Sequence, residues 1–226
     1  MNTERTKGGT SGAVARPVSH LLFASSATAL AGFLDAVGYA QLNHLYVSFM
    51  SGNSAHLGMA AASGQWGNVI YAGFVIAAFV GGTFIGTLVT DASGKPVIAV
   101  LALELVLCAA ATSLAAFGLA TLALTLIALT MGMQNVMHQG VSGTDAGKSF
   151  ITGALFGLGQ AIARALRGRV GTVPIFVYGS SWLSFVAGVI CGALSIGGWG
   201  LVPSLALACM GFILLAILAW ESGFGE

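Results

Sequence analysis

The run VIAVLALELVLCAAATSLAAF at residues 97–117, followed after Gly118 by LATLALTLIALTMGMQNVMHQ at 119–139, decides the fold. Glu104 is the one formally charged side chain in either segment. At about 1.5 Å of rise per residue, a helix of either length spans the roughly 30 Å hydrocarbon core of a bilayer. Four further apolar runs, Leu21 to Ala40, Val69 to Val89, Ile175 to Ile196 and Val202 to Trp220, have the same character. The chain is 57% hydrophobic and 7% charged, against roughly 25% charged in soluble domains. The expected class is all-α, a polytopic membrane helix bundle, with the lipid bilayer as its first partner.

The 226 residues carry a net charge of +1 and no basic face large enough to displace counterions from phosphates, which excludes nucleic acid. Residues 1–17 read as a disordered cytoplasmic tail and 18–221 as the membrane domain. A cleavable signal peptide is the competing reading, set aside because the apolar run continues past Ala29 and Ala31 at span length. Trp66, Trp182, Trp199 and Trp220 fall near the expected span ends, where an indole gains from apolar contact and a wet N–H together. With a cytoplasmic N-terminus, six spans place Arg5, Lys7, Arg16, Lys95, Lys148, Arg164, Arg167 and Arg169 all on the cytoplasmic side. Both termini are then cytoplasmic, and the expected location is a bacterial inner membrane. Two Gly-rich stretches, His44 to Ala62 and Lys148 to Leu166, are read as re-entrant or interfacial helices. The alternative of eight spans would leave Lys95 and Lys148 outside.

Three matches recur in order along the chain. Gly32, Asp35 and Tyr39 correspond to Gly132, Asn135 and Gln139 at an offset of 100. Phe49-Met50-Ser51-Gly52 pairs with Phe150-Ile151-Thr152-Gly153, and Leu57-Gly58 with Leu158-Gly159, at 101. Phe79-Val80, Gly82 and Gly86 pair with Phe185-Val186, Gly188 and Gly192 at 106. These matches predict a duplicated unit, repeat one at about 20–117 and repeat two at about 119–220. Three spans per unit invert the second relative to the first, as in many secondary transporters; eight spans would give parallel repeats.

Steps of three and four put Ser25, Thr28, Gly32, Asp35 and Tyr39 on one helix face, and Thr125, Ala128, Gly132, Asn135 and Gln139 on another. These faces are the expected polar seam between the halves, against the plainer reading of small-residue packing with interhelical hydrogen bonds. Ala78, Gly82 and Gly86, with Ser184, Gly188 and Gly192, have small-xxx-small spacing and are read as helix contacts. Of the fifteen charged residues, Asp35 and Glu104 alone lie inside spans. A carboxylate at that depth costs on the order of 2.5–3.5 kcal/mol, so each needs a partner, water or a proton. Ser51, with Asn53, and Thr152 precede apolar helical stretches, where a hydroxyl can cap exposed N–H groups; helix starts inside the membrane resemble the broken-helix sites of transporters.

Cys108, Cys191 and Cys209 have no metal-ligand spacing and read as small core residues. His44, His56 and His138 lack the i, i+4 spacing of a helical zinc pair. Gly140-Val141-Ser142-Gly143 matches GxSG, but no histidine follows His138 to act as base, so an enzyme is not expected. No metal, catalytic residue or cofactor is assigned.

The motifs Gly32-Phe33-Leu34-Asp35-Ala36, Phe49-Met50-Ser51-Gly52-Asn53, Leu57-Gly58, Leu103-Glu104, Gly132-Met133-Gln134-Asn135 and Thr152-Gly153 together resemble the bacterial YoaK-like family of multi-pass membrane proteins. The resemblance covers about Leu21 to Trp220. It implies the architecture and an inner-membrane location, and it leaves the substrate open. Ser51 stands where the family usually has Thr, and Ala154 where Thr is common in the second half.

The function expected from these features is secondary transport or export of a small solute, coupled to protons. Asp35, Asn135, Glu104, Ser51, Asn53, Thr152, Gln139 and Tyr39 are the candidates for substrate binding or proton coupling at a central site. A non-transporting partner subunit or sensor and a passive channel are the alternatives, and a homo-oligomer is compatible with each.

Overall fold

The computed structural model describes the backbone of residues 11–142 and 150–223, and side chains at 19–137 and 151–223. These residues form α1 (Ser11–Gln41), α2 (Met50–Ala62), α3 (Trp66–Ala92), α4 (Pro96–Ala116), α5 (Ala120–Ser142), α6 (Phe150–Leu166), α7 (Val173–Trp199) and α8 (Leu201–Glu221). No strand occurs among the described residues. α1 already begins at Ser11, inside the stretch expected to be a tail. Among the described residues six helices are long and apolar enough to cross a membrane: α1 over Ser19–Gln41, α3, α4, α5 over Ala120–Met137, α7 and α8. The 13 residues of α2 extend only about 20 Å, too short to cross. The 17 residues of α6 extend about 25 Å.

Side-chain contacts fix the relative directions of the helices. Asn43 Nδ2 donates to Asn68 Oδ1 at 3.0 Å, so the end of α1 lies beside the start of α3 and α2 leaves and returns to one face. The Tyr71 and Thr121 hydroxyls meet at 2.8 Å, and further along Gly86 lies against Met133, so α3 and α5 run parallel. Gly188 lies on Ala29 and Gly192 on Phe33, so α1 and α7 run parallel as well. The Lys95 ammonium sits 5.6 Å from the Trp220 ring centre, and the Cys108 and Cys209 sulfurs are 3.1 Å apart, so α4 and α8 are antiparallel. Antiparallel α4 and α8 require an odd number of crossings from the start of one to the start of the other. Spans α4, α5 and α7 supply three, so α6 does not cross either. Eight spans would make α4 and α8 parallel.

The described basic residues Lys95, Arg164, Arg167 and Arg169 therefore share one face. The connections at the opposite face, 42–49, 63–65, 117–119 and Gly200, contain no charged residue.

The bundle closes where glycine lets backbones meet. A Cβ on Gly32 would overlap the Phe185 carbonyl, and one on Gly132 the Phe79 carbonyl. Gly82 and Gly188 are pressed in the same way onto the carbonyls of Leu129 and Ala29. Small residues are what membrane helices use to approach this closely, as the spacing of Gly82, Gly86, Gly188 and Gly192 predicts. Phe23, Leu34, Leu101, Leu124, Ile127 and Phe212 fill the interior. Phe74, Phe84, Phe176, Leu194 and Met210 are more than three-fifths exposed, a surface that suits lipid and would aggregate in water.

Two side chains depart from expectation. Trp66, Trp199 and Trp220 are exposed at helix ends, but Trp182 is the tenth residue of α7 and half-buried within the span. Cys191 is exposed on α7 and is not a core residue, because it lies off the stripe of Gly188, Gly192 and Ser195 that α7 buries.

Candidate functional site

The C-terminal part of α1 and the connection after it form one hydrogen-bonded unit. Gly38 has no side chain, and Val47 fills the space where a Cβ would stand. The chain turns through Asn43 and His44, both with positive φ (51° and 65°), a conformation more accessible to Asn and His than to most residues. Leu42, Leu45 and Val47 are buried, so residues 42–49 pack back onto the bundle.

Asp35, 1% exposed, holds this connection. Its Oδ1 accepts the backbone N–H groups of Val47 (2.9 Å) and Ser48 (2.7 Å), and its Oδ2 accepts the Ser48 hydroxyl (2.7 Å). Three donors are what an acceptor-only carboxylate can use, and hydrogen bonds to an ionised group are the strong ones. Asn53, fully buried on α2, grips the same connection. Its Oδ1 accepts the Tyr46 N–H at 2.9 Å and its Nδ2 donates to the Tyr46 carbonyl at 2.7 Å.

Aromatic rings cover the outside. Tyr39 lies 4.8 Å from His44 and 5.2 Å from Tyr46, and Tyr46 lies 5.3 Å edge-on to Phe49. Burial, then Tyr39 and Asp35, push the Tyr46 phenol above its ordinary value, so it keeps its proton at neutral pH. Gly52 sits beneath the rings of Phe49 and Tyr46, where a Cβ would collide.

The remaining candidates divide. Ser51 is exposed and does not cap α2, whose cap position is Phe49 without a side-chain hydrogen bond. Thr152 is exposed and lies inside α6, which has already begun at Phe150. Asn135 is half-buried and donates to the Met131 carbonyl of its own helix at 2.8 Å. The side chains of Gln139 and His138 and the Gly140–Gly143 motif lie outside the described residues, as does the connection 143–149 that corresponds to 42–49. Ala154, the counterpart of Asn53, is buried like Asn53 but carries no polar group.

Asp35 is six residues from the end of α1, about 9 Å inside the uncharged face; Asn135 is seven from the end of α5, about 10 Å inside the basic face. The two do not converge on one point. Glu104 is fully buried on the inward stripe of α4, between Leu101 and Cys108. Neither of its carboxylate oxygens has a hydrogen-bond partner among the described residues. Thr28, Thr83 and Thr130 bond back to carbonyls of their own helices, and Thr83 also reaches the Gly132 carbonyl across the α3–α5 crossing at 3.2 Å.

Sequence reasoning missed three contacts. The Ser48 clamp and the Ser195–Ser204 hydroxyl pair (2.8 Å) lie in or across connections. The meeting of Cys108 with Cys209 joins residues 101 positions apart, an offset of the repeat, which marks two positions as counterparts but does not say that they touch.

No group of three or more His, Cys, Asp or Glu among the described residues could hold a metal. Two grooves open outward, one of about 400 Å³ along α3 and one beside Trp199 and Met210, and both are lined mainly by apolar side chains.

Six apolar spans, two short helices at opposite faces and carboxylates buried between the helices define a polytopic helical membrane protein. The chain belongs to the family described as Protein of unknown function (DUF1275), which matches residues 23–219. It is 29% identical over 200 residues to the UPF0700 transmembrane protein RA0705 of Rhizobium meliloti (strain 1021), covering 86% of each chain. No solved structure matches. The family agrees with the YoaK-like resemblance carried by the motifs around Asp35, Ser51 and Asn135.

Proposed function

We propose that the protein is a secondary transporter or exporter of a small solute, coupled to protons, built from two inverted halves. The observation that supports this best is the shared register of two helix crossings. Gly32 on Phe185 and Gly188 on Ala29 in α1–α7 have the counterparts Gly132 on Phe79 and Gly82 on Leu129 in α5–α3. These are the residues related by offsets of 100 and 106. The remaining pairings repeat in kind: α2 on α3 with α6 on α7, α4 on α5 with α8 on α1, and α3 on α4 with α7 on α8. Antiparallel α4 and α8 agree with the inversion. Rocking of such halves about α1–α5 and α4–α8 would expose a site between them to each face in turn.

In this reading Asp35 is the latch of the uncharged face: protonation removes the charge that strengthens its bonds to the Val47 and Ser48 N–H groups, turns its Oδ2 from acceptor to donor toward the Ser48 hydroxyl, and loosens residues 42–49. Asn135 occupies the equivalent place near the basic face, and Glu104 is the second proton-carrying group. The basic face is cytoplasmic in a bacterial inner membrane by the positive-inside rule. The protein is not an enzyme.

A second reading is favoured by one observation: every donor to Asp35 comes from its own connection, as a purely structural clamp requires. The chain would then be a non-transporting subunit or sensor. Reconstitution into liposomes with an imposed pH gradient separates the two. A panel of small solutes is screened by pH-sensitive dye and transport-coupled current. The transporter reading predicts saturable, proton-linked flux that Asp35→Asn lowers at least ten-fold while folded protein is recovered. Wild-type flux in folded Asp35→Asn would contradict the latch, and no proton-linked flux for any solute favours the subunit.

A further inference from the structure

We infer that Cys108 and Cys209 form a redox-sensitive pair that closes into a disulfide joining α4 to α8, with a lipid-soluble quinone as the oxidant. The inference rests on the α4–α8 contact and is independent of the transport reading. The two sulfurs lie 3.1 Å apart, the Cys209 thiol donating to Cys108 sulfur and the Cys108 thiol to the Leu205 carbonyl at 3.7 Å. The Thr112 hydroxyl bonds the Cys108 carbonyl at 2.8 Å and meets Cys209 sulfur at 3.6 Å, bracing both helices at this level. A disulfide needs the sulfurs at about 2.05 Å, so closure asks for an approach of about 1 Å shared by two side chains. Packing alone explains a buried small residue at either position, but it does not require two thiols to touch across a helix interface.

The depth of the pair selects the oxidant. Cys108 is the thirteenth residue of the 21-residue α4, near the middle of the span. Cys108 is buried and Cys209 only half-buried, so access is from the Cys209 side, through the apolar part of the bilayer. A polar oxidant is excluded from that region by its own hydration, whereas a quinone partitions into it. The step balances without another reactant. Two S–H bonds break and one S–S bond forms, and two electrons and two protons pass to the quinone, which leaves as hydroquinone. The bridge would tie the third span of the first half to the third span of the second. Cys191, exposed on α7, is a built-in control.

The full chain in liposomes is treated with a fully ring-substituted benzoquinone, which cannot add thiols to its ring. It is then unfolded, alkylated with a maleimide and mapped by mass spectrometry. The expected result is loss of alkylation at Cys108 and Cys209 together, with a 2 Da lighter linked peptide pair, while Cys191 remains alkylated. Cys209→Ser should lower protection of Cys108 at least ten-fold, and Cys191→Ser should leave the linked pair unchanged. A membrane-impermeant sulfonated quinone should act at least ten-fold more slowly. Full alkylation of Cys108 and Cys209 in folded, quinone-treated wild-type protein, or crosslinks through Cys191 alone, would overturn the pair. Equal rates with both quinones would overturn the lipid route.

Discussion

Asp35 and Asn53 carry the connection after α1 through five hydrogen bonds, four of them to backbone groups of Tyr46, Val47 and Ser48. Removing a charged acceptor strands those donors, and a buried unsatisfied group costs about 1–3 kcal/mol. Asp35→Ala should therefore destabilise the protein by about 3 kcal/mol, and Ser48→Ala, which removes only the hydroxyl contact, by about 1 kcal/mol. Thermal unfolding in one detergent measures both. Ser51→Ala, at an exposed position with no cap to lose, should stay within about 0.5 kcal/mol of wild type. The importance of Asp35 could be read from one acid in an apolar span. Its partners could not, because the backbone N–H groups of Val47 and Ser48 leave no mark in a sequence. Ser51 looked like a cap because it precedes an apolar run, but α2 had started one residue earlier.

At the scale of helices, the glycines sort into those that bear a neighbouring backbone and those that do not. Gly82 and Gly188 lie on the carbonyls of Leu129 and Ala29, whereas Gly73 and Gly81 face open space. Gly82→Leu and Gly188→Leu must each force a helix pair apart. Each should cost 3 kcal/mol or more, above the usual ~1–3 kcal/mol of overpacking because the colliding group is backbone. Gly73→Ala and Gly81→Ala should be neutral or stabilising by up to about 1 kcal/mol. Comparable losses at Gly82 and Gly188 are expected from the shared register, and unfolding midpoints of the four variants test it. The spacing of Gly82 and Gly86 was legible because close contact demands small residues every turn. The mispositioned Trp182 was not, since an aromatic inside a lipid-facing helix has the same local sequence as one near its end.

For the whole molecule, the span count was legible in hydrophobic length, and the fate of the two short helices was open between crossing and returning. Asn43 bonded to Asn68, and Lys95 stacked on Trp220, settle it by joining ends that eight spans would place on opposite faces. The arrangement has both short helices returning to the face they left, at opposite sides of the bilayer, as the proposed inversion of the halves requires. Labelling of single cysteines from each side of sealed vesicles tests this most directly, in a background where Cys108, Cys191 and Cys209 are serine. Cysteines at Asn43, Gly67 and Gly118 should react with an impermeant maleimide from one side, and those at Gly94 and Gly171 from the other. Labelling of Asn43 and Gly67 from opposite sides would contradict the inverted arrangement.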